Sequence, residues 1–209
     1  MTTRRTKTKK WVARQQNDVY VKQARAYGYR SRAAYKLLEI NDKHKILLPA
    51  MRVLDLGAAP GGWSQVAFEI VGVKGLVLAV DILPITDIPG VSILQGDLLD
   101  ENLFTNLVEK YKDNFDLVIS DMAPNLSGIG VSDQAKMISL ADMALEIVKE
   151  RLNFGGNFLL KLFHGQGFDS YVSLLRKSFS NVLIIKPKAS RNESREVYCL
   201  AKGYNKKFT

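Results

Sequence analysis

Residues 51–64, MRVLDLGAAPGGWS, carry the reading on which the fold turns. Val53, Leu54 and Leu56 make a short apolar run around one carboxylate, Asp55, and predict a buried strand over 52–56. The run ends in Gly57-Ala-Ala-Pro60-Gly61-Gly62, and from Trp63 to about residue 71 the pattern is helical. A strand that passes through a glycine-rich turn onto a helix N-terminus is how an α/β sheet grips a nucleotide-like ligand. The glycines let backbone approach the ligand, which lies at the carboxyl ends of the strands. A Gly-Pro turn with no ligand is the plainer alternative. Two phosphate-directed signatures are excluded. The dinucleotide fingerprint needs glycine where this chain has Ala59, and the P-loop needs a Gly-Lys-Ser/Thr that is absent.

A turn without a lysine or a crowded phosphate cradle suits a ligand lacking a triphosphate. S-adenosylmethionine, with a carboxylate, an ammonium, a ribose and an adenine to hold, is such a ligand. On this reading Asp55, Gly57, Pro60, Gly61, Gly62 and Trp63 belong to the cofactor site.

Beyond Pro49 strands and helices alternate. Strands are expected at 76–80, 91–95, 115–120, 157–163, 181–186 and 196–202, and helices at about 101–112, 133–152 and 168–179. Ile138, Ala141, Leu145, Val148 and Leu152 form one face of the long helix, and Gly155-Gly156 turn the chain into the strand carrying Lys161. Alternation implies an α/β fold: a Rossmann-like domain with a mostly parallel sheet, right-handed crossovers and helices on both faces. The last two strands are joined by a loop too short for a crossover, so they should pair antiparallel at an edge. No repeat or second domain is visible. The domain is expected to span 11–209 after a disordered basic tail over 1–10.

Three acids, Asp81, Asp97 and Asp121, follow three of the strands in the same way. In an open α/β sheet those ends line one crevice, so the three should converge on the ligand. Asp81 stands about 20 residues beyond the glycine turn, where an acid accepts from ribose hydroxyls, and Asp97 is placed to meet adenine's exocyclic amine. Aspartate is also common in turns, and each acid alone has that explanation.

Composition bounds the setting. The 209 residues suffice for one good core, and 46% hydrophobic with 24% charged is ordinary for a globular protein. One cysteine, Cys199, allows no internal disulfide and fits a reducing, cytoplasmic compartment; its VYCLA strand makes it inert core. No apolar run approaches a membrane span, although an Arg- and Thr-rich start can mimic a mitochondrial presequence. His44 and His164 have no companions at metal-ligand spacing, so no metal is expected.

The net charge of +9 is concentrated at one end. Residues 1–36 hold eleven Lys or Arg against Asp18 alone, and the remainder is nearly neutral. A basic arm on a neutral body is the footprint of a polyanion binder. A solvated tail explains residues 1–10 equally well. It explains 20–36 less well, because Tyr20, Tyr27, Tyr29 and Tyr35 are interleaved with Lys22, Arg25, Arg30 and Arg32, and such mixtures stack on unpaired bases while meeting phosphates. A helix is expected from Trp11 to about Tyr27, broken by Gly28. Ser31 should cap a second helix over about 32–41 whose apolar stripe is Ala34, Leu37, Leu38 and Ile40. Lys186, Lys188, Arg191 and Arg195 either extend an RNA track or decorate a charged hairpin. The Asn125–Gly130 loop is a substrate-ordered flap or an ordinary connector.

Together LDLGAAPGGWSQ, AVDI, QGD, SDMAPN, LLKLF and SREVY, preceded by RSRAAYKLLEI, resemble the FtsJ-type RNA 2′-O-methyltransferases, above all the bacterial members that methylate a uridine ribose of large-subunit ribosomal RNA. The likeness covers about residues 11–203. It implies a catalytic set of Lys36, Asp121, Lys161 and Glu196, and cofactor contacts from Gly61, Trp63, Asp81, Asp97 and Asp121. It also implies S-adenosylmethionine as methyl donor and ribosomal RNA, on the assembled 50S subunit, as partner. A monomer is the default. Methylation of tRNA or of an mRNA cap, or a non-catalytic RNA-binding assembly factor on the same fold, are the rival readings.

The residues support the chemistry independently. A ribose 2′-hydroxyl is a poor nucleophile until its proton is removed. Lys161 lies in an apolar run, Phe158 to Phe163, where burial and a neighbouring cation disfavour the ammonium and make it a candidate general base. Lys36 is the candidate cation, with Asp121 and Glu196 orienting the two lysines. A surface-facing Lys161 is the alternative on spacing alone.

Overall fold

In a computed structural model of the protein, the residues described are 18–98, 100, 110–128, 130–191 and 193–205. The alternating pattern becomes β1 (Arg52–Leu56), β2 (Leu76–Asp81), β3 (Val91–Gln95), β4 (Phe115–Ser120), β5 (Leu152–Phe163), β6 (Phe179–Ile185) and β7 (Glu196–Tyr204). They form one seven-stranded sheet in the order β3-β2-β1-β4-β5-β7-β6. β1 pairs in parallel with β2 and β4, β2 with β3, and β4 with β5. The antiparallel pairing expected at the far edge is present: β7 lies between β5 and β6 and runs against both. The strand order reverses between β1 and β4, so the crevice at their carboxyl ends is where a ligand belongs.

Helices α1 (Val19–Ala26), α2 (Ala34–His44), α3 (Gly62–Val71), α4 (Gly130–Arg151) and α5 (Phe168–Ser178) complete the described elements. Alternate strand positions feed two cores. Leu54, Leu56, Val118 and Leu160 pack with α4 and α5 on one face, and Val53, Leu117, Ile119, Leu159 and Tyr198 pack with α2 and α3 on the other. Among the described residues no helix is long and apolar enough to cross a membrane.

Several local expectations are corrected. Ser31 does not cap α2: the helix starts at Ala34 with Ala33 at the cap position and no side-chain cap bond. Ser31 instead lies against the glycine turn, where a Cβ on Gly62 would come within 2.5 Å of its Oγ. Of the helix expected over 11–27, residues 19–26 are helical, starting from an Asp18 cap, and 11–17 lie outside the described residues. For the helix expected at 101–112, positions 101–109 lie outside them too. Gly155-Gly156 do not open β5. The strand begins directly at Leu152, which pairs with Phe115, and the glycines sit in a register shift where Gly155 takes a φ of +79°. Leu152, expected to end the long helix, belongs to β5, where it pairs with Phe115 and is buried.

Candidate active site

The cavity at the β1/β4 switch point has a volume of about 710 Å³, within the ordinary range for a small-molecule site. Asp81, Asp97 and Asp121 all line it, as their places after β2, β3 and β4 require. Asp81 Oδ2 accepts from the Ala59 amide at 2.8 Å and Oδ1 from the Leu83 amide at 2.8 Å. The carboxylate is therefore fixed against the glycine turn, and lone pairs remain for a ligand. Gly57 holds a φ of +72°, and a Cβ there would lie 2.2 Å from Met122 Cγ, so only glycine lets the turn pass the β4 loop. Leu140 and Met143 of α4 and Ile82 and Leu83 supply apolar wall.

Pro60, Gly61, Gly62 and Trp63 do not line this cavity. Trp63 is 3% exposed; its indole N–H donates to the Ala33 carbonyl at 2.8 Å and its ring lies 5.6 Å from that of Tyr198. It locks α2 to α3. Asp55, also buried, accepts from Ser64 Oγ at 2.6 Å, while its Oδ1 has no hydrogen-bond partner. Burial, opposed by the Ser64 bond and reinforced by Asp121 and Asp81, pushes this carboxyl up to about 7. Asp55 supports the turn from below.

Asp121 is shared with a second constellation. Lys161 Nζ donates to Asp121 Oδ1 at 2.9 Å and to the Asp121 carbonyl. Tyr198 Oη donates to the same Oδ1 at 2.6 Å and receives from Lys36 Nζ at 3.1 Å. Lys36 Nζ in turn lies 2.6 Å from Glu196 Oε1, which Ser190 Oγ also reaches at 2.8 Å. The four residues expected to act together thus form one chain, Glu196–Lys36–Tyr198–Asp121–Lys161. Lys36 and Lys161 are both buried. Burial works to raise Asp121, but Lys161, Lys36 and the Tyr198 hydroxyl outweigh it and hold the carboxyl below its usual value. Burial, with Asp121 and Glu196 beside it, lifts the Tyr198 phenol well above its own.

Tyr198 is the member that sequence reasoning missed. It stands two residues after Glu196, so both side chains leave the same face of β7, and that spacing inside SREVY was the available signal.

At the far end of the chain lies a second cavity of about 320 Å³, lined by Lys36, Glu196, Arg32, Arg191, Glu193 and Ser194. Two of the expected RNA contacts, Arg32 and Arg191, therefore share this cavity with Lys36 and Glu196. Arg25, Lys188 and Arg195 are exposed elsewhere. Arg30 does a structural job: its guanidinium donates to the carbonyls of Pro60 at 3.2 Å and of Thr86 and Asp87 at 2.6 Å each, strapping the N-terminal segment over the turn. The expected stacking tyrosines are also largely spent on one another. Tyr35 packs against Tyr20 and Tyr29, leaving Tyr27, 76% exposed, as the open ring. The loop after β4 is tied down by Asp133, which accepts from Ser127 N and Oγ at 2.7 Å and Gly128 N at 3.0 Å.

Comparison with known proteins follows the same geometry. A family model described as FtsJ-like methyltransferase matches residues 29–204. A protein of Cellvibrio japonicus named ribosomal RNA large subunit methyltransferase E is 50% identical over 196 residues, 93% of each chain. Its namesake in Pseudomonas aeruginosa is 48% identical over 202 residues, 96% of this chain and 98% of that one. Among solved structures, one described as a ribosomal RNA methyltransferase of Plasmodium falciparum superposes with a TM-score of 0.76 at 28% identity, covering 84% of this chain and 98% of that one. Fibrillarin of Aeropyrum pernix, solved with S-adenosyl-L-methionine, shares the fold at a TM-score of 0.57 and 17% identity, over 83% and 75% of the two chains.

Proposed function

The chain belongs to the FtsJ-like methyltransferase family, and on that premise we propose that it transfers a methyl group from S-adenosylmethionine to the 2′-hydroxyl of a uridine ribose in large-subunit ribosomal RNA. The observation that carries this reading is the Glu196–Lys36–Tyr198–Asp121–Lys161 chain, which joins a cavity suited to a nucleoside cofactor to a second one lined with arginine.

The residues present fit the donor. Asp81 is fixed where ribose hydroxyls would be received, Asp97 lines the cavity where an exocyclic amine would point, and Ile82, Leu83, Leu140 and Met143 give an adenine-sized apolar wall. Asp121 lines the same cavity and offers negative charge to a sulfonium or an ammonium. S-adenosylmethionine supplies an electrophilic methyl on a positively charged sulfur.

The protein's work is on the acceptor. Lys161, held by the Asp121 carboxylate and carbonyl, first passes its ammonium proton to solvent; the neutral amine then takes the 2′-hydroxyl proton as the oxygen–carbon bond forms and the sulfur–carbon bond breaks. Lys36, held by Glu196 and Tyr198, places a positive charge where the oxygen becomes anionic. Holding the two reactants at near-attack distance supplies several kcal/mol more, up to roughly 7–11 in the best intramolecular cases. Arg32 and Arg191 flank the acceptor, and the exposed Arg25, Lys188 and Arg195 extend the RNA track. The enzyme acts as a cytoplasmic monomer on the assembled 50S subunit.

The test is transfer of labelled methyl from S-adenosylmethionine to 50S subunits from cells lacking the protein. Recovery of the label as 2′-O-methyluridine supports the reading. Label on a base, on tRNA alone or nowhere overturns it.

A further inference from the structure

Asp18 is an odd residue for a polyanion binder to keep. It is the one acid among residues 1–36, and it lies against the very arginines that flank the acceptor cavity. Its two oxygens have separate tasks. Oδ1 accepts from the amides of Tyr20 at 3.0 Å and Val21 at 3.4 Å, capping α1. Oδ2 pairs with the Arg32 guanidinium and lies 3.7 Å from Arg191 Nη2. The Asp18 side chain is 11% exposed, those of Arg32 and Arg191 17% and 32%.

Arg32 is held in place from two further sides: it donates to the Ala189 carbonyl and lies 5.6 Å over the Tyr20 ring. Two guanidiniums aimed at one point repel each other unless an anion sits between them. Such a pair is a seat for a carboxylate or a phosphate, which guanidinium forks recognise alike. A ribose delivered to Lys36 and Glu196 brings a phosphodiester with it, one per nucleotide, and both arginines line that cavity.

We infer that Arg32 and Arg191 form a phosphodiester seat which the Asp18 carboxylate fills in the free protein, so that RNA must displace Asp18 to place its ribose. The inference rests on RNA being the ligand of the second cavity. Asp18 then acts as a built-in competitor: it neutralises the seat while empty of RNA and lowers affinity for polyanions that cannot complete the remaining contacts. α1 need not unfold when this happens, because the capping oxygen is not the one that pairs with the arginines.

The separation of tasks gives a clean variant. Asp18→Asn keeps a capping oxygen and removes the charge. The full chain and this variant are compared for binding of a short single-stranded oligoribonucleotide over a range of salt. Asp18→Asn should bind about fivefold tighter or more at low salt. Its affinity should fall more steeply with salt, by about 0.7 in the log–log slope for one added phosphate contact. In an Arg191→Gln background the gain should shrink, because only Arg32 is then left for Asp18 to release. The same charge change at Asp42, whose side chain is 84% exposed and distant in role, should give little. Asp18→Ala, which also loses the cap, should share the gain in affinity while lowering the melting temperature.

Unchanged or weaker binding by Asp18→Asn, equal tightening by Asp42→Asn, or a gain undiminished in Arg191→Gln would each overturn the inference. Methyl transfer by the unmodified chain, measured alongside, is a separate readout. Its absence sinks the functional reading, whereas the binding comparison judges the Asp18 seat by itself.

Discussion

The proposed cofactor half and the proposed acceptor half of this site are assembled in opposite ways. In the cofactor half, Asp81, Asp97 and Asp121 each end a strand of the same parallel sheet, and each is fixed within a residue or two of an apolar run. In the acceptor half, Lys36 comes from a helix ahead of the sheet and Tyr198 from the last strand, 162 residues away, and their contact exists only when the whole fold has closed. Asp121 is the one residue that belongs to both. A fold can therefore present a donor pocket from local pattern alone, while the residues around the methyl acceptor are brought together by tertiary contacts. Substitutions should sort accordingly: those in one half should change one ligand's parameters and leave the other's intact.

Asp121→Asn should break that sorting and give the largest effect. It removes the counter-charge of two buried lysines and a wall of the cofactor cavity, so turnover should fall by about 10³ or more and cofactor KM should rise. Steady-state methyl transfer with both substrates varied checks this; a change in RNA parameters alone would contradict the sharing. Asp81→Asn should act on the donor side only, raising cofactor KM by roughly 10- to 100-fold through weakened hydrogen bonds to a charged acceptor, with RNA affinity unchanged. Tyr198→Phe keeps the ring packing against Trp63 but cuts the link between Lys36 and Asp121. It should lower kcat by about tenfold without moving cofactor affinity, as read by calorimetric titration.

The last effect concerns Asp55 and is on stability, not on turnover. Its folded value of about 7 lies above the ordinary carboxylate value of 3.8, so between these pH values the folded state holds a proton that the unfolded chain has lost. Stability should therefore decline as pH rises from about 4 to about 7, by up to about 4 kcal/mol, and level off above. Asp55→Asn should flatten that decline in urea unfolding followed across this pH range. An unaltered slope would place the titrating group elsewhere.

The same division governs how much could be read from the chain. Apolar runs, the glycine turn and the strand-end acids are statements about neighbours in sequence, and the sheet, its switch point and the donor cavity follow from them. The joining of Lys36, Asp121, Lys161 and Glu196 came from motif likeness, because no spacing rule brings residue 36 to residue 196. Tertiary contacts that no local signal carries also fix the surroundings: Ser31 packs against Gly62 and does not cap a helix, Arg30 reaches three carbonyls, and Trp63 meets Ala33 and Tyr198. Leu152 went to β5 because Phe115 offered it a strand partner.

Asp121 joins the two halves, and the amine it holds, that of Lys161, is the group assigned to the acceptor's proton. The decisive measurement is the single-turnover rate of methyl transfer by Lys161→Ala, with S-adenosylmethionine and 50S subunits both saturating. The account predicts a loss of about 10²- to 10⁴-fold with both ligands still bound at ordinary affinity. A rate equal to that of the unmodified chain would contradict it.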